Sequence, residues 1–464
     1  MGNFIRFPLA AFFYKGGVTM TMTGTEIEAM HEKYVMQSWA VQGQPTIPVQ
    51  RAEGIYFWDY DGNKYADMSS LLVCSNLGHS NQAIKDAMME QMKSMCFMAP
   101  AYATEAKSKL AKMLVEAAGA DTYRRVFFCN GGADSNENSI KMARMVTGRT
   151  KIFSAYLSYH GSTLGAGNAS GDWRRFAAEL GGANGFIHFM NPHMYQDGYT
   201  RGVDDAKCTE VFLKALEKQM HFEGTDNIAA VIMESIVGAN GVILPPKGYM
   251  EGVRKLCDKY GILLICDEVM AGFCRTGKMF AWQNFDMKPD MITFAKGVTC
   301  GYVPLGGVIV NEKISQYFEH HVLQCGLTYS GHTLACAAGV AAVQYYQDHH
   351  ICDHVQKMGK LLGDFLDKMV EKHACVGEAR CIGLFSALEI VKDKEKRIPM
   401  VAYGEKSPIM HTIMAELKKR GFSTFGRENN INICPPLIIT EEELKQYLPI
   451  LDDVLTWVDE TYCS

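Results

Sequence analysis

Two apolar runs, Ala229-Ala230-Val231-Ile232-Met233 and Ile262-Leu263-Leu264-Ile265-Cys266, constrain the fold more than anything else in the chain. Each is too short to cross a membrane, and each lacks the polar alternation of a strand with one wet face. A strand of this kind is buried on both sides, which is the condition of a parallel sheet sandwiched between helices. Three further β-rich runs, Arg125–Cys129, Lys151–Phe153 and Met291–Phe294, behave alike: each gives way to a polar or Gly-rich turn and then to helical periodicity. The expected class is α/β, a large, mostly parallel sheet covered by helices.

The flanks differ. Gly54–Tyr65 alternates and carries an Asp61-Gly62 turn, which predicts a hairpin. Beyond residue 340 come helices and shorter strands, with a last helix opening at Glu441 behind Thr440 as N-cap. We expect a large central domain over 76–337 and a smaller α+β domain built from 1–75 and 338–464. No period of 20 to 50 residues and no Pro-rich linker divides the 464 residues.

Charge and cysteine usage narrow the function classes. Forty-six Lys and Arg stand against 51 Asp and Glu, a formal charge of −5, with no basic block, so a nucleic-acid partner is not expected. The 15 Cys are scattered singly with no C-x-x-C pair, so neither a disulfide framework nor a zinc site is expected, and a reducing, cytoplasmic setting is. The run Phe7–Tyr14 is too short to span a membrane; it is a leader or an over-long start ahead of Met20 and Met22.

In α/β sheets ligands bind beyond the carboxyl ends of strands. Four such ends carry chemistry here. Asn130-Gly131-Gly132-Ala133 opens a helix, which suits a phosphate or is simply a tight turn. Tyr159-His160 offers an aromatic and an imidazole, or core packing. Asp267-Glu268 places two acids where a buried strand stops; one of them caps the next helix, or an acid meets a partner charge. Lys296, between Ala295 and Gly297, is an amine whose neutral form desolvation favours, fit for Schiff-base chemistry. Phosphate cup, aromatic, buried acid and lysine are together what pyridoxal phosphate requires.

From about Trp39 to the C-terminus the sequence resembles the class III (ω-amino acid) pyridoxal-phosphate aminotransferases of fold type I. The most specific stretch is Asp267-Glu268-Val269-Met270-Ala271-Gly272-Phe273-Cys274-Arg275-Thr276-Gly277, followed by Pro289-Asp290 and Ala295-Lys296-Gly297. The resemblance implies that Lys296 holds the coenzyme as a Schiff base and carries the proton between Cα and C4′. It implies that Asp267 pairs with the ring nitrogen, that Val269 and Tyr159 cover the two ring faces, and that His160 and Glu234 flank the cofactor. Gly131, Gly132 and Ala133 match the phosphate cup, and Thr328 matches a threonine that completes it from a neighbouring subunit. A homodimer is therefore expected, with a pairing of dimers into a tetramer left open. Arg427 matches the arginine that grips the carboxylate of the α-keto acid. Three departures stand out. Ser-Gly-Ser of relatives is Gly131-Gly132-Ala133; Ala239 replaces a Glu of the γ-aminobutyrate and ornithine branches; Val73 replaces a tryptophan over the substrate.

The resemblance thus implies a ping-pong transfer of the terminal amino group of an ω-amino acid to an α-keto acid. Within the family, Tyr34–Trp39, Gly131–Asp134 and Thr424–Asn429 are most similar to enzymes that act on taurine, with pyruvate or 2-oxoglutarate as acceptor. β-Alanine or another ω-amine is the alternative donor, and an aminomutase or racemase the alternative chemistry.

Overall fold

A computed structural model describes residues 22–179, 184–405 and 407–463. The run Phe7–Tyr14 lies outside them. By internal contacts the chain divides into one unit within 1–51 with 58–64 and another of 52–57 with 65–464. In the first unit the helix Gly24–Tyr34 starts at Thr23, whose capping box with Glu26 satisfies two exposed end groups. The Asp59 carboxylate closes the expected turn by accepting from the backbone of Asp61 and Asn63, and Gly62 takes the left-handed φ of +85°.

The second unit holds a seven-stranded sheet: β1 Tyr123–Cys129, β2 Lys151–Ala155, β3 Phe186–Phe189, β4 Ile228–Glu234, β5 Leu263–Asp267, β6 Met291–Phe294 and β7 Gly306–Asn311. Their order across the sheet is β1-β7-β6-β5-β4-β2-β3. All neighbours run parallel except β7, which is antiparallel to both β1 and β6. Every residue of β4, β5 and β6 is buried, which is why those strands read as unbroken apolar runs. The strand order leaves the carboxyl ends of β4, β5 and β6 side by side, with Glu234 in register with Asp267, and Asp267 with Thr293.

A second sheet joins Val376–Ile382, Phe385–Asp393, Asn430–Ile433 and Gly426–Arg427 in that order. The chain closes with the helix Glu441–Tyr462, started by a Thr440–Glu443 capping box as the sequence predicts. Arg275 is fully buried and ties three segments together. Its guanidinium donates to Ser70 Oγ, Asn76 Oδ1 and the carbonyls of Leu384 and Pro435. Among the described residues no helix is long and apolar enough to cross a membrane.

Candidate active site

Asp267 ends β5 almost fully buried, and its charge is met by three donors. Oδ2 accepts from Asn136 Nδ2 at 2.7 Å and faces His160 Nδ1 at 2.7 Å, while Oδ1 accepts from the Val269 N–H at 2.9 Å. With the carboxylate ionised, Nδ1 carries the imidazole proton, and His160 Nε2 has no partner among the described residues. Asn136 is fixed in turn: its Oδ1 accepts from Thr293 Oγ1, and its amide also donates to the His160 carbonyl. Asp267 is thus aimed by a shell of hydrogen-bond donors.

The second acid of the pair serves otherwise. Glu268 accepts from Ser235 Oγ and from the N–H groups of Ala281 and Trp282, so it caps the short helix Ala281–Asn284. Of the two roles open to these acids, the neighbours divide them: Glu268 caps, Asp267 faces the site.

Lys296 follows β6 with φ at +46°, a strained position for a residue with a side chain. Its amine makes no hydrogen bond or ion pair among the described residues. Burial lowers its pKa, so the neutral, nucleophilic form is more accessible than in an ordinary lysine. Glu234, at the end of β4, accepts from the N–H groups of Tyr159 and Gly238, and so anchors two loops that border the site.

The helix Gly132–Thr147 begins without a side-chain cap at Gly131, which leaves its first N–H groups free for an anion. A Cβ on Gly131 would meet nothing within 4 Å, whereas one on Gly132 would come within 2.8 Å of Val269 Cγ1. Gly132 is therefore glycine because Val269 leans against it. A Cβ on Gly161 would come within 2.5 Å of the Ala133 Cβ and 2.6 Å of its Cα, so glycine at 161 lets the Tyr159–Gly161 loop pass close to the start of the helix. An open cup at a helix N-terminus, an anchored carboxyl group and a half-buried, unpartnered amine fit the coenzyme named above.

Arg427 stands on a hairpin strand and donates to Asp172 Oδ2 at 3.1 Å. Asp172 also receives Arg174, whose guanidinium lies 3.4 Å from the centre of the Tyr159 ring. Burial alone would raise the Asp172 carboxyl, but the two guanidiniums outweigh it and hold it below the usual range. Burial, and next the Arg174 charge, lower Arg427. Two cations thus share one carboxylate, and the Glu428 carboxyl group also feels Arg427 and Asp172.

The structure brings Lys296, Asp267, His160, Glu234 and Val269 to adjoining strand ends, with Gly132 against Val269. Arg427 is joined to Tyr159 through Asp172 and Arg174. Val73 is buried in an apolar cluster with Ile236, Val242 and Met270, on a loop that also strains Ser70 and Leu71 into left-handed φ. Thr328 is not part of the cluster; it is exposed, and nothing bonds it to the other site residues among those described. Asn136, Asp172 and Arg174 were not singled out from the sequence; for the last two, an acid beside two arginines just after the Tyr159 loop was the available signal.

Glu234 and Glu268 are both pushed up to about 7, by burial first; for Glu234 the Asp267 charge adds to it. The folded protein then binds protons that the unfolded chain has released above its ordinary 4.5. This contribution to stability is complete below that value and lost as pH rises through about 7. We expect the melting temperature to fall by several degrees between pH 5 and pH 8, and Glu268→Gln to flatten the slope in calorimetry. A variant with the wild-type slope would remove Glu268 from that account.

Residues 38–455 match the family model for aminotransferase class-III. The fold superposes with a TM-score of 0.95 on the structure of a taurine:2-oxoglutarate aminotransferase from Bifidobacterium kashiwanohense in complex with PLP and glutamate, at 71% identity over 95% of this chain and 99% of that one. The chain is 34% identical to an uncharacterised aminotransferase of Bacillus subtilis (strain 168), over 86% of this chain and 89% of the relative. It is 30% identical to a taurine–pyruvate aminotransferase of Bilophila wadsworthia, over 96% of this chain and all of the relative.

Proposed function

The chain belongs to the class-III aminotransferases, and we propose that it transfers the amino group of taurine to 2-oxoglutarate or pyruvate, with pyridoxal phosphate as coenzyme. The observation that carries the reading is the half-buried, unpartnered Lys296 beside the anchored Asp267, with Arg427 and Arg174 gathered on Asp172 for the substrate's anion.

When bound, the coenzyme supplies an aldehyde to take up the amino group and a ring that withdraws electrons from the substrate carbon. The chain's own groups do the rest. Gly131, Gly132 and Ala133 offer backbone N–H groups to the phosphate. Asp267 would face the ring nitrogen with its carboxyl group, His160 and Asn136 fixing its orientation. Val269 would cover one ring face and Tyr159 the other, the Tyr159 ring being backed by Arg174. Lys296 would take the proton from the substrate carbon and deliver it to the coenzyme's C4′, across the nitrogen the two share. Arg427 grips the planar carboxylate of the keto acid and Arg174 the second anionic group, each in competition with Asp172. Both half-reactions use one site, so the donor product leaves before the acceptor enters.

A second copy of the chain completes the site in this reading. Met89, Met92, Met95, Phe97, Tyr102 and Tyr329 are exposed large apolar residues. Phe97 and Tyr329 meet edge to face at 5.5 Å. An apolar surface of this kind supports burial against a partner, and Thr328, beside Tyr329, would then enter the neighbour's phosphate cup. The free cysteines support a reducing, cytoplasmic setting, and we keep 76–337 as the central domain.

The deciding experiment follows the visible absorption of the purified protein with pyridoxal phosphate, before and after taurine is added without a keto acid. Taurine should remove the coenzyme band and 2-oxoglutarate or pyruvate restore it. A band unmoved by taurine but bleached by β-alanine would replace the donor. Arg427→Ala should slow the keto-acid half-reaction by roughly 10- to 100-fold, the worth of a charge-assisted bidentate contact, and the donor half-reaction less. Equal losses in both would contradict its role.

A further inference from the structure

Arg380, in the strand Val376–Ile382, is 1% exposed. Its Nη1 pairs with Glu378 Oε2 at 2.6 Å and Glu389 Oε2 at 2.5 Å, which already satisfies its charge. The rest of the guanidinium is spent on neutral acceptors in two other segments. Nε donates to the Gly241 carbonyl at 2.8 Å, and Nη2 donates to Asn430 Oδ1.

Both segments lead to Arg427. Asn430 faces Arg427 across the two-residue turn of its hairpin, and its amide turns toward the Arg427 carbonyl at 3.4 Å. Gly241 follows Asn240, whose Nδ2 donates at 3.2 Å to Asp172 Oδ2, the same oxygen that receives Arg427 Nη1. The circuit closes: the backbone end and the head-group end of Arg427 are tied to one buried side chain. The two segments touch there, since a Cβ on Gly241 would come within 2.5 Å of Asn430. The guanidinium also stands between the acids Glu378 and Glu389, so the His193–Glu378–Glu389 cluster already holds its cation.

We propose that Arg380 is a positioning residue for the reaction: by holding the Arg427 hairpin and the Asn240-Gly241 turn at a fixed spacing, it sets how readily the keto acid's carboxylate displaces Asp172 from Arg427. This rests on Arg427 as the carboxylate-binding residue. A salt bridge needed only for charge would use one nitrogen and would tolerate lysine, whereas the planar fork serves three directions at once.

That difference is the test. Arg380→Lys keeps the charge beside Glu378 and Glu389 and loses the contacts to Gly241 and Asn430. Asn430→Ala removes one of those contacts, together with the amide's own contact to the Arg427 carbonyl, and leaves Arg380 paired with its two acids. In both variants, assayed as the coenzyme-loaded enzyme, the KM for the keto acid should rise about tenfold, as expected when a gripping group is displaced by a fraction of an ångström. The kcat should stay within about twofold and the coenzyme band should be unchanged. A lowered melting temperature with an unchanged keto-acid KM in either folded variant would reduce Arg380 to structural support and overturn the proposal. Failure of the wild-type protein to regenerate its coenzyme band with any keto acid would instead strike the reading of Arg427, so the two failures are distinct.

Discussion

Replacement of Lys296 by alanine is expected to abolish turnover, by at least about 10⁴-fold, the upper end of what a single general acid–base group contributes. Two functions are removed at once. The amine that holds the coenzyme is lost, and so is the base that moves the proton on the substrate carbon. Nothing nearby substitutes for it. The other titratable groups at these strand ends are Asp267, committed to Asn136, His160 and Val269; Glu234, committed to the backbone of Tyr159 and Gly238; Glu268, committed to Ser235, Ala281 and Trp282; and His160, held through Nδ1 by Asp267. Stability should move the other way. The amine is half-buried with no partner among the described residues, and the partial desolvation that lowers its pKa costs free energy. The backbone strain at φ +46° is the same for alanine. The variant should therefore melt at or above the wild-type temperature while showing no turnover of taurine with 2-oxoglutarate. Activity above about one per cent of wild type would place the essential base elsewhere.

The sheet was legible where burial is two-sided. Before their last residues, Glu234 and Asp267, β4 and β5 carry only apolar side chains, and this alone predicts their environment. β7 was not singled out, since a short apolar run carries no information on direction, and its antiparallel pairing with β1 and β6 depends on contacts far apart in sequence. The same contrast holds in the site. Lys296 and Asp267 terminate strands, so their neighbourhood followed once the sheet was recognised. Asp172 and Arg174 belong to a single-turn helix start with no periodicity, delivered to the site by packing: a Cβ on Gly171 would meet the Ala155 carbonyl at 2.1 Å. Arg380 is the hardest case. With Glu378 two residues away it reads as one charged face of a strand turned to solvent, whereas its partners Glu389, Gly241 and Asn430 come from three other segments and allow it to be buried.

Asp267→Asn is expected to fold, keep its coenzyme and lose about 10²- to 10³-fold in the rate of the donor half-reaction, the cost of removing one well-placed electrostatic partner. The side chains have the same shape, so the loss comes from charge and hydrogen-bond polarity. The carboxylate offers only acceptors, and it needs them on both oxygens: Oδ2 toward Asn136 and His160, Oδ1 toward the Val269 N–H. An amide has one acceptor. With its oxygen toward Val269, its NH2 group meets the donating amide of Asn136; with its oxygen toward Asn136, the NH2 group meets the Val269 N–H. Either way the ring nitrogen no longer faces an anion, and withdrawal of electrons from the substrate carbon weakens. The Lys296 variant should lose the absorption band of the lysine-bound coenzyme altogether, whereas this one should retain the band and bleach slowly with taurine. Stopped-flow absorbance separates the two. A donor half-reaction within tenfold of wild type would mean that His160 and Asn136, rather than the Asp267 charge, set the electrostatics of the site.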